Sequence, residues 1–260
     1  MYLTHRLIEL LKYAIKGKSR FYLHSPFVYK FAEEILTDNR HFYAFDDIEI
    51  IKKKLLSNNS EILVQDLGER KNQTKKRKVN SIAKNTSIAT RYGQLLFRML
   101  NHFQPKNMLE LGTSFGISSL YHSKGNLNGN LTTIEGCPEI AKIAKGNFNL
   151  LNVDNIEVVI GNFDECLEDV LKNLGSIDYV FFDGNHQKEA TLNYFNSCLK
   201  YANENSIFVF DDIHWSPDMT SAWNEVIQHP KVQISMDFYQ IGILFFHQSQ
   251  AKEDFKLWYW

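Results

Sequence analysis

From about Thr86 onward, five short apolar runs alternate with stretches of helical periodicity, and that alternation restricts what this chain can fold into more than any other feature. The runs lie at 108–111, 131–134, 156–160, 177–182 and 206–210, with helical patterns such as 138–151 and 188–201 between them. Strands this apolar, joined by crossovers of helical length, belong to a parallel sheet covered on both faces. Ser216-Pro217 then opens another helix that stops near His229-Pro230, and two last strands follow at 232–238 and 241–246. Only Tyr239-Gln240 separates them, and so short a connection joins antiparallel neighbours. The expectation is an α/β protein with a doubly wound, seven-stranded sheet: five parallel strands and an antiparallel terminal pair.

The first part of the chain reads differently. Leu3, Leu7, Leu10, Leu11 and Ile15 share one helical face. Ser25-Pro26 is a cap followed by proline at the first helical position, with Phe27, Phe31 and Ile35 after it. A third helix is expected from Asp46 or Asp47, with Ile48, Ile51 and Leu55 inward. The run 70–78, six cations in nine residues, reads as an exposed linker. The expected division is therefore a helical extension and basic linker over 1–85 and a domain over 86–260.

Composition excludes several classes. Hydrophobic residues at 44% and charged residues at 23% suit a globular core rather than disorder. Lys plus Arg (29) nearly cancels Asp plus Glu (30), so no global field draws the chain to nucleic acid or membrane. Cys137, Cys166 and Cys198 form no Cys-x-x-Cys pair, which excludes a zinc ribbon and a disulfide scaffold. No segment approaches the ~20 apolar residues of a span, and the N-terminal pattern is not a signal-peptide core. The expected location is the cytoplasm.

In an open α/β sheet, ligands bind beyond the carboxyl ends of the strands. The first strand ends in Glu110-Leu111-Gly112-Thr113-Ser114-Phe115-Gly116. Gly112 and Gly116 let backbone approach a ligand, and the following helix starts with unpaired N–H groups. The spacing is not Gly-x-Gly-x-x-Gly, and an acid at Glu110 suits an ammonium or sulfonium while repelling a pyrophosphate. Glu135 ends the second strand, 135 − 112 = 23 residues past the first glycine, where a carboxylate accepts both hydroxyls of a ribose. The third strand ends in Gly161-Asn162-Phe163-Asp164, which offers amide and aromatic groups to an adenine, although Asn162 read alone is a helix cap. Together these ends describe a site for a cationic nucleoside without phosphates.

These segments resemble the successive cofactor motifs of class I S-adenosylmethionine-dependent methyltransferases, and most closely the catechol and caffeoyl-CoA O-methyltransferases. Gly93-Gln94-Leu95-Leu96 matches the segment that precedes that family's first strand. Asp183, in Phe181-Phe182-Asp183-Gly184-Asn185-His186, matches its metal-binding Asp, and Asp211-Asp212-Ile213-His214-Trp215 matches its Asp-Asn pair with a following Trp. The resemblance spans roughly 86–246 and resembles, over the whole chain, uncharacterised bacterial methyltransferases with an N-terminal extension. It implies a Rossmann-like fold, S-adenosyl-L-methionine held by Glu110, Gly112, Thr113, Ser114, Gly116, Glu135, Asn162, Phe163 and Asp183, and methyl transfer to an oxygen of a small-molecule acceptor. Three positions depart from the pattern. The family's catalytic Lys is His186, its Asn is Asp212, and an apolar position is His214.

Asp183, Asp211 and Asp212 stand at the ends of two strands expected to be neighbours, and three converging carboxylates repel unless protons or a cation intervene. Mg²⁺, Mn²⁺ or Ca²⁺ would resolve the conflict; the other resolution has one Asp capping a helix and another holding the cofactor. His186 is the candidate base, with Asp183 beside it as the second catalytic candidate. Trp215 and the segments 24–27 and 258–260 could wall an acceptor pocket or pack in the core. A homodimer is the other partner considered; nucleic acid and membrane are not expected. The competing functions are an NAD-dependent oxidoreductase and a nucleic-acid methyltransferase or non-catalytic binding protein using 70–78. The missing dinucleotide fingerprint, and the absence of proline after the fourth strand, weigh against them.

Overall fold

The computed structural model describes residues 2–66, 73–247 and 251–259. Two units divide the chain: residues 39–170, and residues 1–38 together with 171–260.

In the unit 39–170, helix α3 (Tyr43–Ser57) buries Ile48, Ile51 and Leu55, the stripe its periodicity predicts. The next segment departs from expectation. Glu61–Asp66 (β1) and Gln73–Lys78 (β2) pair antiparallel, with Leu63 opposite Lys76 and Val64 opposite Lys75. The basic run is thus partly a strand rather than a linker. Alternation in Ile62-Leu63-Val64 buries Val64 on one face of the hairpin, while Lys75, Lys76, Arg77 and Lys78 remain exposed as expected. Arg70, Lys71 and Asn72 lie outside the described residues. Helix α4 (Val79–Thr86) leads to α5 (Thr90–Phe103), which buries Tyr92, Leu95, Leu96, Met99 and Leu100. Gln104 then turns left-handed, at φ 49°, ahead of Pro105. Strands β3 (Asn107–Leu111), β4 (Asn130–Glu135) and β5 (Ile156–Ile160) run parallel in that order, separated by α6 (Ile117–Gly125) and α7 (Pro138–Leu150). Gly93 brings α5 against α6, since a Cβ there would stand 2.3 Å from the Tyr121 ring.

Helix α8 (Phe163–Leu174) crosses the boundary between the units. In the second unit the strand order is β10-β8-β9-β7-β6, with β6 (Ile177–Phe182), β7 (Ala202–Phe210), β8 (Ile234–Asp237), β9 (Gly242–Phe245) and β10 (Glu253–Lys256). β6 and β7 are parallel and β8 and β9 antiparallel, as the sequence predicts. Helix α9 (Lys188–Leu199) joins β6 to β7, and α10 (Pro217–Ile227) follows β7. Seven strands are expected; the described residues form eight, three in one unit and five in the other, besides the hairpin. The additional one is β10, four residues with little apolar content that pair in parallel with β8.

The N-terminal segment belongs to this second unit. Phe27 and Phe31 of α2 (Pro26–Phe31) set their rings 4.9 and 6.0 Å from Phe245, so their stripe packs as expected. Ser25 occupies the cap position before Pro26 but makes no side-chain capping bond, whereas Ser216 Oγ accepts from the Met219 N–H at 3.1 Å. Helix α1 (Tyr2–Lys16) sits the other way round from an ordinary amphipathic helix: Glu9 and Tyr13 are buried, and Leu3, Leu7, Leu11 and Ile15 are exposed. The inverted seating has a cause in hydrogen bonding. Tyr13 donates its hydroxyl to the Leu257 carbonyl, and His5 Nε2 lies 3.0 Å from Thr220 Oγ1.

Candidate active site

The turn after β3 is set by backbone conformation. Gly112, Ser114 and Gly116 all lie at positive φ (107°, 47° and 81°), a region that only glycine enters without strain. Gly112 and Thr113 donate their N–H groups to the Ile134 carbonyl at 3.1 and 3.2 Å, which ties the turn to the end of β4. At Gly116 a Cβ would also stand 2.3 Å from the Phe148 ring. Ser114 meets Thr86 hydroxyl to hydroxyl at 2.7 Å.

Glu135 is fixed to this turn by both its oxygens. Oε2 accepts the Ser114 N–H and Oε1 accepts the Cys137 N–H, each at 2.9 Å. Burial nevertheless pushes its carboxyl up to about 6; the two N–H groups pull the other way, and the charge of Glu110 adds to the rise. Each oxygen retains acceptor capacity after one such bond.

Glu110 is placed differently from the expectation that it borders the ligand. It is fully buried, and its Oε2 accepts from Thr133 at 2.7 Å and from the Ser119 hydroxyl. His122 Nδ1 stands 3.4 Å from the other oxygen. Thr113 and Thr133 are 2.7 Å apart, hydroxyl to hydroxyl. Thr133 has one proton and gives it to Glu110, so Thr113 is the donor to Thr133. A hydroxyl chain, Thr113 to Thr133 to Glu110, therefore anchors the turn from below. Thr133 and Ser119 escaped sequence analysis, although a threonine inside an otherwise apolar strand is a readable signal: its buried hydroxyl requires a partner.

After β5, Asn162 behaves as a cap. Its Oδ1 accepts the Asp164 N–H at 3.2 Å, and its carbonyl accepts from Glu165 and Cys166. Phe163 is half-buried beside it.

At the ends of β6 and β7 in the second unit lie the acids Asp183, Asp211 and Asp212. Asp211 is buried, and Gln240 Nε2 approaches its Oδ1 at 3.5 Å. Burial, with the neighbouring Asp212 charge, raises its carboxyl well above the ordinary range. Asp212, at φ 54°, is also raised by burial, and the charges of His186 and Arg6 oppose the rise. His186 Nε2 is 3.9 Å from Asp183 Oδ1. Asn185, at φ 50°, donates to the Tyr194 hydroxyl at 3.2 Å and keeps Oδ1 buried without a hydrogen-bond partner. Among the described residues no group of three or more His, Cys, Asp or Glu side chains is arranged to hold a metal ion. Asp183 follows β6, and Asp211 and Asp212 follow β7, its parallel neighbour.

Besides His186, Arg6 of α1 faces Asp212, and its guanidinium lies 4.4 Å above the half-exposed Trp215 ring. Nothing in the spacing of residues 6 and 212 could have revealed this. His214 is buried with Nε2 2.9 Å from Asp237 Oδ2 and Nδ1 3.9 Å from Glu9 Oε2. Its polar ring, where the related family has an apolar residue, joins β7 to β8 and α1.

Known proteins share parts of this sequence and its fold. Residues 109–213 match a family model described as a methyltransferase domain. A catechol O-methyltransferase of Mycobacterium tuberculosis is 27% identical over 129 residues, 49% of this chain and 57% of that protein. The chain spans 57–65% of the length of the curated relatives it matches. A Podospora anserina methyltransferase solved with S-adenosylhomocysteine aligns with a TM-score of 0.61 at 15% identity, over 87% of this chain and 98% of that one. An O-methyltransferase of Streptomyces achromogenes, solved with S-adenosylmethionine, aligns at 0.57 and 17% identity, over 84% and 94%. The fold is the Rossmann-like α/β fold of these enzymes, and the resemblance to class I S-adenosylmethionine-dependent O-methyltransferases holds.

Proposed function

We propose that this chain is an S-adenosylmethionine-dependent methyltransferase that methylates an oxygen of a small-molecule acceptor, with 86–260 as the catalytic part and 1–85 as an extension. The observation that carries this is Glu135. Two backbone N–H groups aim its carboxylate across a glycine turn and leave acceptor capacity for the two hydroxyls of a ribose. The turn suits the rest of the cofactor, because Gly112 and Gly116 hold positive φ and add no side chain of their own to its backbone. S-adenosylmethionine, when bound, supplies the methyl group as an electrophile on a sulfonium.

The chain's own residues do the remainder. Gly112, Thr113, Ser114 and Gly116 shape the cradle, and the hydroxyl chain to Glu110 keeps Thr113 in place. Asn162 and Phe163 take the adenine edge and face. Asp183 remains a cofactor or acceptor contact. His186 removes the acceptor's hydroxyl proton at Nε2, and the Asp212 carboxylate facing it stabilises the imidazolium formed. Asn185 Oδ1, buried and without a partner, is suited to accept from an acceptor hydroxyl. The NAD-dependent and nucleic-acid alternatives gain nothing from these contacts.

Thermal-shift titration tests the proposal. S-adenosylhomocysteine should raise the melting temperature, since a ligand at about 100 times its Kd adds ~2.7 kcal/mol; NAD should not. Stabilisation by NAD with none by S-adenosylhomocysteine would reverse the assignment.

A further inference from the structure

Helix α1 presents its apolar side to solvent. Leu3, Leu7, Leu11 and Ile15 form an unbroken i, i+4 row, 70%, 53%, 63% and 79% exposed, and Phe21 and Tyr22, past the helix end, are 78% and 68% exposed. Single exposed apolar residues are ordinary on a protein surface, but a contiguous row marks a contact. The seating is held from the other side, where Glu9, Tyr13 and His5 bond into the protein, so the helix cannot roll its leucines inward without breaking those bonds.

Charge and size decide what covers the row. The only acid in α1 is Glu9, which is buried and paired with Lys12 at 2.7 Å. Lys12 flanks the row on one side, and Lys16 and Lys18 are exposed at and just past the helix end. In an antiparallel two-fold pair of α1 helices the end carrying Lys12 and Lys16 would meet the Tyr2–Ile8 end of the other copy, which carries Arg6 and no carboxylate. Fifteen residues make a helix about 22 Å long. Two such faces pressed together bury a few hundred Å², below the roughly 1,000 Å² of a specific interface. An anionic lipid surface needs neither a complementary acid nor a large rigid partner. A helix with a leucine face, flanking cations and aromatic residues past one end is the form that lies in the headgroup boundary.

We propose that α1 seats this protein on an anionic lipid surface, with the Leu3–Leu7–Leu11–Ile15 row toward the acyl chains and Lys12 and Lys16 among the headgroups. None of the helices described is long and apolar enough to cross a membrane; the contact is peripheral. It stands independently of the methyl-transfer assignment.

The test is sedimentation of the full chain with phosphatidylcholine vesicles, with and without phosphatidylglycerol, beside light scattering of the protein alone. Binding should require phosphatidylglycerol and weaken with salt. The double variant Leu7→Asp/Leu11→Asp should lower partitioning about tenfold or more per leucine while leaving the melting temperature unchanged. Lys16→Glu should weaken it less. Failure of the wild-type chain to bind phosphatidylglycerol vesicles would overturn the proposal. So would a dimer in solution that Leu7→Asp/Leu11→Asp abolishes, because the row would then be a subunit contact.

Discussion

Glu135 and Asp211 both stand at the carboxyl end of a strand, and burial raises the carboxyl of each, yet their surroundings differ in kind. Glu135 has a backbone donor on each oxygen, supplied by the turn it faces. Asp211 has the backbone N–H of Asp212, one long contact from Gln240 and a second carboxylate next to it in the chain. Under the proposed function the first region is preorganised to receive hydroxyls; the second holds excess negative charge, balanced in part by His186 and Arg6. A site for binding and a site for moving a proton call for those two conditions respectively.

The largest expected effect would break the comparison if it failed. His186→Ala should lower kcat by ~10²–10⁴ with little change in S-adenosylmethionine affinity, as measured by steady-state kinetics and calorimetry. A loss confined to affinity would place His186 with the binding region instead.

Asp237 sharpens the contrast from within the same unit as Asp211. Burial alone would raise its carboxyl, but the His214 hydrogen bond and the charges of His214 and Lys256 hold it below the ordinary value. Its contribution to stability is therefore present above the unfolded value near 3.8 and is lost as pH falls through the lower folded value. Asp237→Asn, which leaves buried partners uncompensated, should cost ~3–5 kcal/mol in denaturant unfolding at neutral pH.

Glu135 gives the smallest effect and the most specific one. Glu135→Gln should weaken S-adenosylhomocysteine binding by ~1.5–3 kcal/mol. Because its folded carboxyl lies at about 6 against an ordinary 4.5, its stability contribution is full below 4.5 and is lost as pH rises through about 6. Binding runs in the opposite sense: ribose hydroxyls donate to the carboxylate, so wild-type affinity should fall as pH drops through about 6. Glu135→Gln should remove that dependence in calorimetry.

Much of the fold was legible because it rests on local periodicity. The apolar runs 108–111 and 177–182 could only be buried strands, and Tyr239-Gln240 could only join antiparallel neighbours. Strand β10 was not legible, because Glu253–Lys256 gains its place from pairing with β8 rather than from its own side chains. The turn residues 112–116 and Glu135 were visible through glycine spacing and distance along the chain. The course of Glu110 into the interior was not, since a carboxylate beside a glycine turn reads the same whether it points to ligand or to core.

The amino-acid sequence by itself determined the alternation of strands and helices, the glycine turn after β3 and the acids at the strand ends, because each depends on neighbours within a few residues. Only the tertiary structure decided which of those acids receive hydrogen bonds, that Arg6 faces Asp212, and that α1 turns its leucines outward. Those outcomes depend on donors brought from distant parts of the chain. Glu9 meets His214, Tyr13 meets Leu257, and a buried polar group must go where its partner is.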